Sequence, residues 1–138
     1  MKTRRILHPT DFSSASRAAF ARAVAMAKAE SAQLLLVHVM MPVIPMMGDG
    51  YISPKVYDDM QRSMLAHGKK QIDKLVAKAK TAGVRARGLL LEGTAADRIV
   101  RAARSYHADV IVIGTHGRTG LARVFLGSVA ERVVGTAP

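Results

Sequence analysis

The segment QLLLVHVMM, residues 33–41, decides the fold class of this chain. Its apolar residues form a continuous run instead of alternating with polar ones, which is typical of a strand that is covered on both faces. Three further runs have the same character: RRILHPT near the start, VRARGLLLEG at 84–93 and ADVIVIG at 108–114. The sequence therefore predicts four buried strands of a mostly parallel sheet.

Helical patterns occupy the segments between and after these strands. Each expected helix begins at a residue that can serve as its N-cap. The expected helices and their caps are residues 13–30 (Ser13 or Ser14), 54–81 (Ser53, followed by proline), 94–106 (Thr94, in a capping-box-like pair with Asp97) and a segment from Ser128. This alternation predicts one α/β domain over residues 1–138, with right-handed crossovers and helices on both faces of the sheet.

The composition indicates a globular chain with one real core. Hydrophobic residues make up 49% and charged residues 22% of the 138 residues, which argues against disorder. The absence of cysteine excludes disulfides and thiolate metal sites. The first 14 residues lack the apolar core of a secretory signal, and the most apolar stretch is broken by His38, Pro42 and Pro45. We therefore predict a cytoplasmic protein without a membrane segment.

The net charge of +11 arises from 21 Lys and Arg residues against 10 Asp and Glu residues. Such an excess favours polyanionic partners such as nucleotides, nucleic acid or an acidic surface, and it is also what a solvated basic face looks like. Aromatic residues make up only 4% of the chain and there is no Trp. This argues against a single-strand reader that stacks bases on a row of rings.

The segment GTHGRTGLARVFLGSVAER, residues 114–132, follows the last predicted strand. Glycines at a strand's carboxyl end let the main chain approach a ligand closely, and Gly127-Ser128 stands just before a predicted helix. Helix N-terminal amides bind phosphate, and Arg118 or Arg123 can add charge-assisted bonds. The alternative is a glycine-rich turn with a serine cap and no ligand. The pattern is neither a Walker loop nor the dinucleotide fingerprint.

The segment HPTDFS, residues 8–13, ends the first predicted strand. Asp11 stands at the carboxyl end of that strand, where its carboxylate can accept hydrogen bonds from ribose hydroxyls or an adenine amino group. The alternative is a turn residue or a helix cap. His8, His38 and His116 also stand near predicted strand ends, but their spacing does not indicate a metal site, and none is predicted.

ILHPTDFS, LLLVHV and VIGTHGRTGLARVFLGSVAERVV together resemble the universal stress protein family across essentially the whole chain. The last segment fits Gly-x2-Gly-x9-Gly-Ser, the pattern of the ATP-binding branch, at Gly114, Gly117, Gly127 and Ser128. The resemblance implies a doubly wound, Rossmann-like domain with a five-stranded parallel sheet of order 3-2-1-4-5. The strand order would then reverse between strands 1 and 4, beside both segments considered above.

The same resemblance implies a role for each residue of an ATP site. Pro9, Thr10 and Asp11 would border the ribose and adenine, and the main chain at Val39 would meet the adenine edge. The residues implied around the phosphates are Gly114 and Gly117 under the ribose and α-phosphate, Gly127, Ser128 and Val129 at the β- and γ-phosphates, and Arg118 as a further phosphate contact or a solvated side chain. Mg²⁺ would come with the nucleotide, with Asp11 as the candidate carboxylate.

One departure from the family concerns the end of the chain. The family's fifth strand, which often pairs across a homodimer, would begin at Thr136-Ala137-Pro138, where the sequence stops. Either that strand is absent from this sequence or the protein functions without it. A homodimer is therefore expected without an assigned interface.

We expect an ATP-binding stress-response or signalling module with an unknown protein partner. No nucleophile elbow or paired carboxylates accompany the glycine segment, so at most slow ATP hydrolysis is expected and no catalytic residue is assigned. The alternative is a basic adaptor that binds nucleic acid or an acidic protein without using ATP.

Overall fold

The computed structural model describes residues 3–41 and 53–114 of the chain. Helices and strands alternate throughout these ranges, as the sequence predicts. The elements are β1 (Arg5–Pro9), α1 (Ser14–Glu30), β2 (Gln33–Met40), α2 (Pro54–Thr81), β3 (Ala86–Glu92), α3 (Ala95–Ser105) and β4 (Val110–Ile111). The helix expected from Ser128 and the expected fifth strand lie outside the described residues.

The four strands form one parallel sheet of order β3-β2-β1-β4. This confirms the first four positions of the order 3-2-1-4-5. Strand β1 pairs with β2 from Arg5↔Gln33 to Pro9↔Val37, and with β4 at Ile6↔Val110 and Leu7↔Ile111. Because β2 and β4 lie on opposite sides of β1, the strand order reverses between β1 and β4. In open α/β sheets, ligands bind at the carboxyl edge beside such a reversal.

Helices cover both faces of the sheet. On one face, Ile6 and Leu36 pack against residues of α1 and α2 such as Ala23 and Ile72. On the other face, Leu7 and Val37 pack against α3. Neighbouring strand residues thus enter opposite cores, which is why the apolar runs are continuous. The doubly wound α/β fold predicted from the sequence is confirmed.

The helix starts distinguish between the capping alternatives. Ser13 caps α1, because its hydroxyl accepts from the Ser16 N–H at 3.2 Å. Ser53 caps α2 in the same way, accepting from the Val56 N–H at 3.2 Å. Thr94 has the extended conformation of an N-cap, but its side chain makes no capping hydrogen bond. The capping role predicted for the Thr94 side chain is therefore wrong.

Helix α2 is longer than the sheet it packs on. Its first buried residue is Gly68, and Ile72 and Ala79 follow it into the core. The apolar side chains nearer its start are exposed: Val56, Met60, Met64 and Leu65. Only the second half of α2 therefore contributes to the core. Within the two described ranges, no helix has the length and apolar character needed to cross a membrane.

Candidate functional site

Five of the ten residues predicted to form the site lie in the described part of the chain, all at the carboxyl side of the sheet. Pro9 is the last residue of β1, and Thr10 and Asp11 follow it. Val39 is the penultimate residue of β2, and Gly114 follows β4. The other five, Gly117, Arg118, Gly127, Ser128 and Val129, lie outside the described residues.

Gly114 allows the end of β4 to approach the start of α1. A Cβ atom added at Gly114 would lie 3.3 Å from the carbonyl oxygen of Ala15 and 3.6 Å from the nitrogen of Ser16. These are main-chain atoms in the first turn of the helix, so a side chain at this position would push on the helix start. The glycine therefore has a packing role here that holds with or without a ligand.

The turn between β1 and α1 is held by its own side chains. The Thr10 hydroxyl accepts from the Phe12 N–H at 3.0 Å. Asp11 Oδ1 accepts from the Ser13 N–H at 2.9 Å and from the Ser16 hydroxyl at 2.6 Å. Of the two roles considered for Asp11, the structure shows the turn and cap role. The half-buried carboxylate also places negative charge at the positive end of the α1 dipole.

Phe12 adopts a left-handed conformation within this turn, with φ of 64°. That conformation costs a residue other than glycine roughly 1–2 kcal/mol. The Phe12 ring lies against the imidazole of His38, with the ring centroids 4.5 Å apart. This contact helps to offset the strain and packs the turn onto the end of β2.

The end of β2 presents main-chain groups that β1 does not cover. The Val37 carbonyl faces β1 and accepts from the Thr10 N–H at 2.8 Å, whereas the Met40 carbonyl faces β3 and accepts from the Gly93 N–H at 3.0 Å. Because main-chain groups alternate sides along a strand, the N–H and C=O of Val39 point to the β1 side. The β1–β2 register has already ended at Val37, so both groups point past the end of β1.

The imidazole of His38 replaces the next rung of the β1–β2 ladder. In a continued parallel ladder, the Thr10 carbonyl would accept from the Val39 N–H. It lies instead 2.8 Å from His38 Nδ1, which carries the proton because a carbonyl oxygen only accepts. The Val39 N–H has no hydrogen-bond partner among the described residues. A donor and an acceptor on one residue thus lie beside the Thr10–Asp11 turn.

His8 fixes the opposite side of the same edge. Its side chain is fully buried, and Nδ1 donates to the Val112 carbonyl at 2.8 Å. Burial lowers the pKa of His8 below the ordinary value for histidine, so the ring is neutral at pH 7. The bond ties β1 to the chain two residues before Gly114. His116, the third histidine near the predicted strand ends, lies outside the described residues.

These features define a doubly wound α/β protein in which a polar turn and the Val39 main-chain groups beyond the end of β1 lie beside the reversal of strand order. The chain belongs to the universal stress protein family, whose sequence model matches residues 2–138. A universal stress protein of Thermus aquaticus is 35% identical over 133 residues, which cover 96% of this chain and 92% of the relative.

Solved structures of the family have the same fold. Universal stress protein UspA from Lactobacillus plantarum superposes with a TM-score of 0.81 at 26% identity, over 100% of this chain and 94% of that one. The universal stress protein from Archaeoglobus fulgidus in complex with dAMP gives a TM-score of 0.66 at 22% identity, over 99% and 94% of the two chains.

The roles of the Phe12 and His38 side chains could not be predicted from the sequence. The sequence carries one signal for the second: His38 interrupts an otherwise apolar strand beside its carboxyl end. Nothing in the sequence distinguishes Phe12, because its left-handed conformation is usually found at glycine or asparagine.

Proposed function

We propose that this universal stress protein binds ATP at the carboxyl edge of its sheet and acts as a nucleotide-dependent stress-response module. The observation that carries the proposal is the pair of Val39 main-chain groups that point past the end of β1. They lie beside the turn that contains Pro9, Thr10 and Asp11, next to the reversal of strand order.

The Val39 main chain suits an adenine base. One donor and one acceptor on the same residue complement a ring nitrogen acceptor and the exocyclic amino donor of adenine. The donor needs no rearrangement to bind, since the Thr10 carbonyl is already taken by His38. In this proposal the adenine completes the hydrogen bonding of β2 where β1 ends, and the Pro9–Asp11 turn borders the ribose.

The glycine segment supplies the phosphate half of the proposal. Gly114, at the end of β4, and Gly117 lie along the ribose and α-phosphate. The amides at the start of the predicted last helix bind the β- and γ-phosphates, since helix N-termini favour anions. The residues proposed there are Gly127, Ser128 and Val129, with Arg118 as a further phosphate contact. Mg²⁺ binds mainly through the phosphates, and Asp11 is the nearest candidate carboxylate.

The dAMP complex of the Archaeoglobus fulgidus relative supports an adenine nucleotide as the ligand class. The preference for a triphosphate rests on the Gly114–Ser128 pattern of this chain. We expect turnover to be slow at most, because the sequence lacks the usual parts of a phosphoryl-transfer site. Cytoplasmic location, a homodimer and a protein partner stay predictions, and sedimentation at several protein concentrations tests the dimer.

Calorimetric titration with Mg-ATP and with adenosine tests both halves of the site. Val39→Pro removes the proposed donor without removing a ladder hydrogen bond, and Val39→Ala is the matched control that keeps it. We expect Val39→Pro to weaken adenosine and ATP binding by about tenfold, the value of one hydrogen bond without replacement. Val39→Ala should stay within about threefold of the wild type, since only a partly buried side chain is trimmed.

Gly127→Glu places a negative charge at the proposed phosphate position. It should abolish the advantage of ATP over adenosine, whereas Ser63→Glu on the exposed side of α2 should leave it intact. Unchanged ATP binding in both Gly127→Glu and Val39→Pro would overturn the site. Binding of nucleic acid that falls steeply with salt and ignores ATP would favour the basic adaptor.

A further inference from the structure

The amino-terminal edge of the sheet, opposite the proposed nucleotide site, carries a basic cavity of about 610 Å³. Three arginines at or next to the starts of strands line it: Arg4, Arg5 and Arg85. The other described residues that line it are polar or charged, and none of them is a large apolar side chain. A second cavity of about 340 Å³ shares Ser31 and Arg85 with the first and adds Lys28. We call the two together the amino-edge pocket.

Two of the guanidinium groups are held in place. Arg5 Nη1 donates to the Tyr106 carbonyl at 2.7 Å, and Arg85 Nη2 donates to the Ser31 carbonyl at 3.1 Å. Both acceptors are C-cap residues, of α3 and α1 respectively. A guanidinium group has five N–H donors, so each arginine keeps most of its donors for a ligand. Less side-chain entropy is lost on binding when the group is already positioned.

One carboxylate among the described residues that line the first cavity, Asp109, bonds to the main chain of the arginines. Asp109 Oδ2 accepts from the main-chain N–H groups of Arg4 and Arg5 at 2.8 and 3.0 Å. These two bonds, with a smaller contribution from the charges of Arg4 and Arg5, hold the pKa of Asp109 below its usual value. Across the described ranges, Asp109 forms no ion pair with either guanidinium group. Its hydrogen bonds fix the start of β1, and neither guanidinium group lies within ion-pair distance of a carboxylate in the described part of the chain.

The helices add further positive charge at the same edge. In a parallel sheet with helical crossovers, helices end where strands begin. The last turns of α1, α2 and α3 accordingly bring basic residues to this side: Lys28, Lys78, Lys80 and Arg104. Basic residues near helix C-termini stabilise the helices, so these four have a structural role as well. Arg5 and Arg85 share this role through their bonds to C-cap carbonyls. In the described part of the chain, the Arg4 side chain makes no such bond.

We propose that the amino-edge pocket binds a small oligophosphate, independently of the nucleotide site. Guanidinium groups match phosphate oxygens with paired, charge-assisted hydrogen bonds. The volume of the first cavity, about 610 Å³, lies in the range of small-ligand sites. Its polar lining suits a compact, highly charged ligand. Among the described residues, the first cavity offers an acidic peptide no large apolar side chain on which to anchor. A single-stranded nucleic acid would find no row of aromatic rings for its bases among the described lining residues.

Calorimetric titration of the full chain with sodium tripolyphosphate tests this proposal. Arg4→Gln is the first variant, since no hydrogen bond in the described part of the chain involves the Arg4 side chain. It should weaken tripolyphosphate binding about tenfold, the lower end for hydrogen bonds to a charged group. The double variant with Arg85→Gln should weaken it about a hundredfold. Arg62→Gln, on the exposed side of α2, removes the same charge elsewhere and should have less than a twofold effect.

Binding at the two sites is distinguished by a variant that changes only the proposed nucleotide site. Gly127→Glu should lose its preference for ATP and keep tripolyphosphate binding, whereas Arg4→Gln should keep adenosine binding. If Gly127→Glu abolishes tripolyphosphate binding and Arg4→Gln does not, the anion binds at the glycine segment and the proposal is overturned. It is equally overturned if an oligonucleotide or an acidic peptide binds more tightly than tripolyphosphate and depends on Arg4. The proposal is also overturned if the double variant of Arg4→Gln and Arg85→Gln binds tripolyphosphate with unchanged affinity.

Discussion

Replacing Gly114 by alanine would place a methyl group 3.3 Å from the carbonyl oxygen and 3.4 Å from the carbonyl carbon of Ala15. Because both atoms belong to the main chain of α1, the contact is relieved only when the helix start and the strand end move apart. Overpacking typically costs 1–3 kcal/mol, and the small displacement needed here points to about 1–1.5 kcal/mol. For a domain of this size we expect Tm to fall by roughly 3–7 °C.

Gly68→Ala is the matched control. A Cβ atom there would lie 3.4 Å from both Leu90 Cδ2 and Met40 Sδ, which is ordinary van der Waals contact. Gly68 lies inside α2, where alanine is favoured over glycine by about 0.5–1 kcal/mol. Thermal and urea unfolding without nucleotide should therefore show Gly114→Ala less stable and Gly68→Ala more stable than the wild type. If Gly114→Ala unfolds like the wild type, or if both variants shift together, the close approach of β4 to α1 is wrong.

Three further predictions concern stability. Folding lowers the pKa of His8, so the unfolded chain binds the proton more readily. The free energy of unfolding should therefore fall as the pH drops below about 6.5. His8→Asn keeps a donor toward Val112 and should reduce this pH dependence, measured by urea titration at pH 8 and pH 5.5. Ser31→Gly should raise stability by about 1 kcal/mol, because Ser31 caps α1 in the left-handed conformation with φ of 53°; an unchanged urea midpoint would contradict this. Ser13→Ala should cost about 1 kcal/mol, whereas Ser14→Ala should cost far less, and equal midpoints would mean that the cap is misassigned.

The layered fold could be predicted because burial on both faces leaves a direct trace in the sequence. Ile6 and Leu7 are neighbours in β1 and enter opposite cores, so both positions must be apolar. The start of α2 was equally clear from Ser53 and Pro54. Thr94 shows the limit of such reasoning: it occupies the N-cap position, but the sequence does not report whether its hydroxyl reaches the helix amides.

The chemistry of the carboxyl edge was less accessible from the sequence. That Val39 presents its main chain to the edge depends on where β1 ends and on which side of β2 each residue faces. The resemblance to the family predicted a role for the Val39 main chain. That His38, and not the Val39 N–H, bonds to the Thr10 carbonyl became visible only in the structure. From the sequence, Asp11 could be either a ligand contact or a turn residue. Its hydrogen bonds in the structure show the role in the turn.

The amino-edge pocket had no sequence signal of its own. Arg4 and Arg5 stand about eighty residues from Arg85, and only the β3-β2-β1-β4 order brings them to one cavity. The net charge of +11 showed that basic surface must exist without indicating where it lies. Pairing across the sheet is set by long-range contacts, which local patterns do not encode.

Titration of the ¹⁵N-labelled protein with Mg-ATP, followed by amide chemical shifts, tests the nucleotide site most directly. We expect the Val39 amide to be among the most strongly shifted signals, together with Gly114, because in the proposed site the adenine accepts from one and the ribose lies against the other. Shifts limited to Arg4, Arg5 and Arg85, with no shift of the Val39 amide, would overturn the proposed nucleotide site.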